Sequence, residues 1–290
     1  MFVKKATNLA CPIDGLPFDI AEKQLRCPNG HSFDIARQGH INLLLVQQKR
    51  SRHPGDSKAM VTARTAFLQT GVYAPIAEKL VEIVLQQFAS EPEIHDEYCL
   101  LDAGCGEGYY LDYLLHALAP RLERRVAFIG LDISKPAIMA AAKRNKQISW
   151  LVAANKQPSV MAETVDIIFS IFGFPDFGSF KHLLKPGGKI ILVDAGSEHL
   201  IELRQIIYPE VKKSPPPGIS EAEALGFSLQ DSTDLHYQTG ALPQRQIMDL
   251  LTMTPHLYRA TLEGKQAAAA LEKMDLSVDV HFRVLVKNQN

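Results

Sequence analysis

"LLDAGCGEGYY", Leu100 to Tyr110, decides the fold. An apolar run delivers Asp102, then Gly104, Gly106 and Gly108 form a turn into a helical segment. Glycines at such a strand-to-helix turn accept positive φ and let the backbone approach a ligand closely. A dinucleotide-binding turn reads G-x-G-x-x-G. The spacing here is G-x-G-x-G, and Tyr109 stands where that third glycine would be. A ring at that position crowds the helix–strand contact such folds use, which argues against a nicotinamide-dependent oxidoreductase.

Outward from this turn, apolar strand-like runs alternate with helical segments. "YCLLDAG" leads into "YYLDYLLHALA", and "VAFIGLDI", ending at Asp132, leads into "KPAIMAAAKRN". "ISWLVAA", "VDIIFSIFG" and "GKIILVDA" read as further strands, with "DFGSFKHLL" and "SEHLIELRQIIY" as helices. Near-continuous apolar strands separated by helices predict a parallel sheet covered on both faces. "KKSPPPG", 212–218, interrupts the alternation, and "SVDVHFRVLVK" has the period of a half-exposed strand that pairs with "GFSLQDSTDLHY", 226–237. The expected class is α/β, a Rossmann-like doubly wound sheet, mostly parallel with an antiparallel C-terminal hairpin. It occupies 75–290, behind a basic linker and helix, 46–74, and a small module, 1–45.

The chain has 290 residues with 31 basic against 32 acidic side chains, so any nucleic-acid surface must be a local patch. Hydrophobic residues at 46% suffice for a full core. Cys11, Cys27, Cys99 and Cys105 do not form the pattern of a secreted disulfide framework. The opening "MFVKKATNLACPIDG" lacks the apolar core of a signal peptide, and no window reaches the roughly 20 apolar residues of a membrane span. A cytoplasmic protein with no membrane partner is expected.

Cys11 to His31, "CPIDGLPFDIAEKQLRCPNGH", has the loop spacing of a small zinc module, with Asp14 where a second cysteine is usual. Zinc accepts carboxylate oxygen at about 2.0–2.2 Å, so Cys11, Asp14, Cys27 and His31 form a candidate tetrahedral set. The alternative is a metal-free module packed on Leu16, Phe18 and Phe33. Next, "QQKRSRHPGDSK" sets Lys49, Arg50, Arg52, His53 and Lys58 among turn residues, followed by Arg64. Such a run is commonly a solvated face; in a chain otherwise neutral it reads as a phosphate-contacting linker.

The pattern D-x-G-x-G-x-G, the second acid Asp132 and "LLKPGGKIILVD" together resemble the class I S-adenosylmethionine-dependent methyltransferases. Within them the chain resembles the 23S ribosomal RNA guanine-N1 methyltransferases, which join a zinc module to a class I domain. The resemblance covers nearly the whole length, through "CPNGHSFDIARQGHINLL", "QKRSRHPGDSKAMVTARTAFLQTGVYAPI", "LDAGCGEGYY", "GLDISKPAIMAAAKR" and "HLIELRQIIY". It implies three cysteines and a histidine around zinc; Cys11, Cys27 and His31 match and Asp14 departs. It implies S-adenosylmethionine held by the turn (Asp102, Gly104, Gly106, Glu107) and by Asp132 at its ribose. Tyr73 would lie over the cofactor and His199 would close the pocket; the plainer alternatives are that Tyr73 packs a helix start and His199 bonds its own backbone. The implied substrate is N1 of a guanine in a 23S rRNA hairpin, and the implied assembly a homodimer.

Guanine N1 carries a proton near neutrality, so something must take it up. At the exit of the fourth strand, "SIFGFPDFG" offers Asp176 as the nearby acid, and Phe172 and Phe174 as rings to stack a base, worth about 1–3 kcal/mol. Core packing explains those rings equally well. Two other classes stay open: a methyltransferase of small molecules, with no salt-sensitive RNA binding, and a non-catalytic RNA-binding protein, with no cofactor binding.

Overall fold

The computed structural model describes residues 2–21, 23–49, 51–89, 97–121 and 123–288. The strands are β1 (Phe2–Lys4), β2 (Asp19–Ile20), β3 (Gln24–Arg26), β4 (Ser32–Asp34), β5 (His40–Asn42), β6 (Glu97–Ala103) and β7 (Arg125–Asp132). They continue as β8 (Ser149–Val152), β9 (Val165–Ile171), β10 (Leu184–Ala195), β11 (Phe227–Gln238), β12 (Leu242–Pro243), β13 (Lys273–Met274) and β14 (Ser277–Lys287). Helices of the first half are α1 (Lys58–Leu68), α2 (Ala74–Ala89), α3 (Tyr109–Leu118) and α4 (Lys135–Arg144). Those of the second are α5 (Phe177–Leu183), α6 (Ile201–Ile207), α7 (Ser220–Ala224), α8 (Gln244–Met253), α9 (His256–Arg259) and α10 (Leu262–Ala269).

Among the described residues, nine strands form one sheet in the order β11-β14-β10-β9-β6-β7-β8-β5, with β1 beside the start of β7. Pairing is parallel from β10 to β5, while β14 runs antiparallel to β10 and β11 to β14. The Rossmann-like doubly wound sheet expected from the strand–helix alternation is therefore present, including its antiparallel C-terminal strands. All seven residues of β9 are buried, as are the last six of β6. Strands covered on both faces need apolar side chains on both, which is why these stretches read as unbroken apolar runs. Local signals set the helix starts: the Ser57 hydroxyl accepts from the Met60 N–H at 3.3 Å to open α1, and the Ser134 hydroxyl from the Ala137 N–H at 3.3 Å to open α4.

Two apolar cores lie on the two faces of the sheet. One joins α2, α3, α4 and α8 to Leu100, Phe128, Trp150 and Val280. In the other, α5 packs with Leu101, Ile129 and Ile168, α7 adds Ala222, and further cover comes from the first 45 residues through Leu9, Phe18, Leu25, Ile41 and Leu43. The N-terminal segment thus has its own three-stranded antiparallel sheet, β2-β3-β4, and also lends β1 and β5 to the large one. No helix among the described residues is long and apolar enough to cross a membrane.

Candidate active site and metal centre

The glycine turn follows β6 directly, with φ of 93° at Gly104, 56° at Gly106 and 80° at Gly108. These left-handed values are costly for any residue with a Cβ. Gly108 also faces Trp150 of β8: a Cβ there would lie 2.5 Å from the indole Cη2 and 3.0 Å from the Ala141 Cβ. The third glycine of this spacing therefore provides the tight helix–strand approach. Tyr109 is turned aside, edge-on to Tyr110 with ring centroids 5.1 Å apart. Gly104, by contrast, has no atom within 4 Å of where a Cβ would be, which leaves open space for a ligand.

That space is a cavity of about 1120 Å³ at the carboxyl ends of the parallel strands, where ligands of open α/β sheets bind. Tyr73, Asp102, Gly104, Gly106, Glu107 and Asp132 all line it. Asp102 is 2% exposed and its Oδ1 has no partner. Burial, then the nearby Asp132 and Glu107 carboxylates, push its carboxyl up to about 8. Glu107 is buried, its Oε1 accepts no hydrogen bond, and the Arg144 Nη2 lies 3.8 Å away; burial raises its pKa too. Asp132 is half-buried and accepts from the Gly106 N–H at 3.0 Å and the Ser134 N–H at 2.7 Å. Burial raises its pKa while these two amides oppose the rise. A floor of buried carboxyl oxygens, two of them without a partner, suits a ligand carrying ammonium and hydroxyl donors, whose positive charge would draw these carboxyls into the ionised form, so the residues present fit S-adenosylmethionine.

His199 stands behind Tyr73, its Nε2 3.2 Å from the Tyr73 hydroxyl. The Asp279 N–H donates to its Nδ1 at 3.3 Å, so the ring proton sits on Nε2 and points at Tyr73. Burial pushes His199 down to about 4, which keeps the ring neutral at physiological pH. Phe172 closes the group, its ring 6.4 Å from Tyr73 and 5.7 Å from His199. Phe172 and Leu200 both hold positive φ, 50° and 55°. Backbone strain of this kind, about 1–3 kcal/mol per residue, gathers at functional sites.

Phe172, Phe174 and Asp176 reach the cavity from the end of β9, with Phe174 85% exposed at the rim. Asp176 also caps α5, its Oδ1 accepting from the Ser179 N–H at 2.9 Å. The basic block divides. Lys49, Arg52, His53 and Lys58 are exposed, and Arg50 lies outside the described residues. Arg64 turns inward to the cavity instead, where its Nη1 pairs with Asp56 at 2.5 Å and its Nη2 donates to the Met253 carbonyl at 3.1 Å. The Pro54–Ser57 loop lies across the end of β7: the Ser134 hydroxyl donates to the Asp56 carbonyl at 2.7 Å, and a Cβ on Gly55 would sit 2.8 Å from the Ser134 Cβ. The sequence marks neither Asp56 nor an inward Arg64 as part of the cavity, yet for Arg64 helical spacing holds the signal. Arg64 is four residues from buried Met60 and three from buried Phe67.

In the N-terminal module the donor atoms of Cys11, Asp14, Cys27 and His31 all lie within 4.8 Å of one another. The Cys27 Sγ is 3.1 Å from the Asp14 Oδ2, the His31 Nδ1 is 3.2 Å from that oxygen, and the Cys11 Sγ is 3.5 Å from the His31 Nδ1. Metal–donor distances of about 2.0–2.3 Å give a tetrahedron with edges of roughly 3.3–3.8 Å, so the set fits zinc with modest adjustment. Burial would raise the Asp14 carboxyl, but the Cys27 thiol, the Leu16 N–H, Cys11 and the Asn29 amide outweigh it and hold the group well below the carboxylate range. Phe18 and Phe33 pack edge to face at 5.6 Å beneath, while Leu16 is 36% exposed.

Comparison with known proteins agrees with both halves. Residues 9–52 match the zinc-ribbon family model described as "RlmA, N-terminal", and residues 101–190 match one described as "Methyltransferase domain". A protein of Micromonospora griseorubida, provisionally named 23S rRNA (guanine-N(1)-)-methyltransferase, is 33% identical over 279 residues, 90% of this chain and 91% of its own. A Bacillus subtilis protein with the same provisional name is 28% identical over 96% of each chain. The 23S rRNA (guanine(748)-N(1))-methyltransferase of Streptomyces fradiae is 32% identical over 67% of this chain and 66% of its own.

Proposed function

Since the chain belongs to the 23S rRNA (guanine-N1)-methyltransferase family, S-adenosylmethionine-dependent enzymes, we propose that it methylates N1 of a guanine in a hairpin loop of 23S rRNA. One observation carries the reading: a cavity floored by the orphaned carboxylate atoms of Asp102 and Glu107 opens past Phe172 and Phe174, and the exposed basic residues lie on the segment that borders it. S-adenosylmethionine supplies an electrophilic methyl group on a sulfonium.

The protein's own part is binding and alignment. Asp132 takes the ribose hydroxyls, and Asp102 with Glu107 offers acceptors to the ammonium. The Tyr73 hydroxyl oxygen accepts from the His199 Nε2–H, which holds its ring at the cavity wall. Direct displacement needs nucleophile, methyl and leaving sulfur in line, and holding them so removes much of the barrier. Phe172 and Phe174 stack the splayed base, as single-stranded RNA recognition commonly does. Asp176, tethered through Oδ1 to the Ser179 N–H, keeps Oδ2 to accept the N1 proton as the N–C bond forms and the S–C bond breaks.

Cys11, Asp14, Cys27 and His31 form a closed four-ligand zinc site that pins two loops of the N-terminal module, a structural role. Lys49, Arg52 and Lys58 contact the RNA backbone beside it. A ribosomal RNA substrate sets the place of action in the cytoplasm. The test is methylation of a bare 23S rRNA transcript with labelled S-adenosylmethionine, followed by mapping of the label. Label at N1 of a single guanine is expected. Cofactor binding with no label in RNA would favour a small-molecule acceptor and refute the proposal.

A further inference from the structure

We infer that Arg64 is the cation that receives the α-carboxylate of S-adenosylmethionine, with Asp56 as the residue that aims it; this rests on the cofactor reading above. The cavity wall is acidic, with Asp56, Asp102, Glu107 and Asp132 around it. A ligand that is only cationic would need no guanidinium there. A ligand carrying an ammonium, a sulfonium and one carboxylate needs a single cation placed apart from the acids.

Among the described residues, the lysines and arginines lining the cavity are Arg64 and Lys156. Lys156 is exposed at the rim. Arg64 lies within, its Nη1 3.1 Å from the position a Cβ on Gly106 would take. The guanidinium is thus laid against the glycine turn, at the wall of the cavity. Its charge also helps hold the Glu107 and Asp132 carboxyls ionised against burial.

The fork is already oriented. Asp56 takes Nη1, the Met253 carbonyl takes Nη2, and of the five guanidinium N–H groups three remain for a ligand. A planar fork held this way loses little freedom on meeting a carboxylate, whereas a lysine would present a mobile point charge. The Pro54–Ser57 loop that carries Asp56 is itself fixed on Ser134, next to the ribose acid Asp132. One short segment therefore supports both the Arg64 guanidinium and the strand end that carries Asp132.

The experiment compares two ligands by calorimetry on the full chain: S-adenosylmethionine and its decarboxylated form, which keeps the nucleoside, sulfonium and amine. Wild type should prefer the carboxylated ligand by about 10–100-fold, the range of a charge-assisted bond. Arg64→Gln should bind S-adenosylmethionine at least tenfold more weakly and leave the decarboxylated ligand nearly unchanged; Arg64→Lys should retain part of the preference. Equal weakening of both ligands would show that Arg64 only props the loop, and unchanged affinity for both would remove it from the site. Should Arg64→Gln fail to fold, the wild-type ratio and Arg64→Lys still decide, because a wild type indifferent to the carboxylate overturns the inference. Failure of wild type to bind S-adenosylmethionine at all would refute the cofactor reading instead.

Discussion

Replacing Asp102 with Asn should make the ligand-free protein more stable at neutral and alkaline pH. The carboxyl is 2% exposed, its Oδ1 has no partner, and Asp132 and Glu107 face it. Its pKa of about 8 compares with about 3.9 in an unfolded chain. Between those values the native state binds the extra proton, so stability falls as pH rises, by roughly 1.4 kcal/mol per unit, and the loss is complete above pH 8. Four units amount to a penalty on the order of 5 kcal/mol at pH 9, and to almost nothing at pH 4. Asn cannot ionise, so Asp102→Asn escapes that penalty while binding the cofactor less well, a trade often seen where function requires a destabilised site. Urea denaturation of both proteins at pH 5, 7 and 9 reads the difference directly. The variant's advantage should widen with pH and shrink when wild type is saturated with the cationic cofactor. Parallel stability curves for the two proteins across this range would refute the reasoning, since a carboxylate at ease in its surroundings has no penalty to lose.

Three further outcomes are expected. Asp132→Ala should weaken S-adenosylmethionine by about 1.5–3 kcal/mol in calorimetry if the ribose bonds are charge-assisted; an unchanged dissociation constant removes Asp132 from the site. Replacing Arg52 and Lys58 together by Gln should flatten the dependence of log RNA affinity on log salt by about 1.5–2 while cofactor affinity holds; an unaltered slope makes them a solvated face. Protein purified without chelator should contain about one zinc per chain, and Asp14→Ala should lose it; a wild type without zinc whose Asp14→Cys variant gains it would mean the site has lapsed.

Elements with strong local signals were legible in the sequence. β6 and β9 read as unbroken apolar runs because both faces are covered, and β11 and β14 were paired through the alternation of β14. Contacts between distant residues were not legible. The need for Gly108 comes from Trp150, and the neutral tautomer of His199 from the backbone of Asp279. No short window contains both partners of either contact. β1 and β5 span three residues each, too few to show a period, so their place in the large sheet could not be foreseen. Arg64 was grouped with Lys49 to Lys58 by nearness in the chain, whereas one helical face decides where it points.

The parallel pairing of β5 with β8 has a consequence for how the chain tolerates truncation. His40, Ile41 and Asn42 sit opposite Trp150, Leu151 and Val152, and β1 occupies the adjoining margin of β7. Without the first 45 residues, β8 would become a bare, apolar sheet edge, and Leu101, Ile129 and Leu151 would lose their cover. Unprotected strand edges template intermolecular pairing, so the shortened catalytic half should tend to self-associate. The N-terminal segment would thus act as an edge guard for the sheet, apart from anything it recognises.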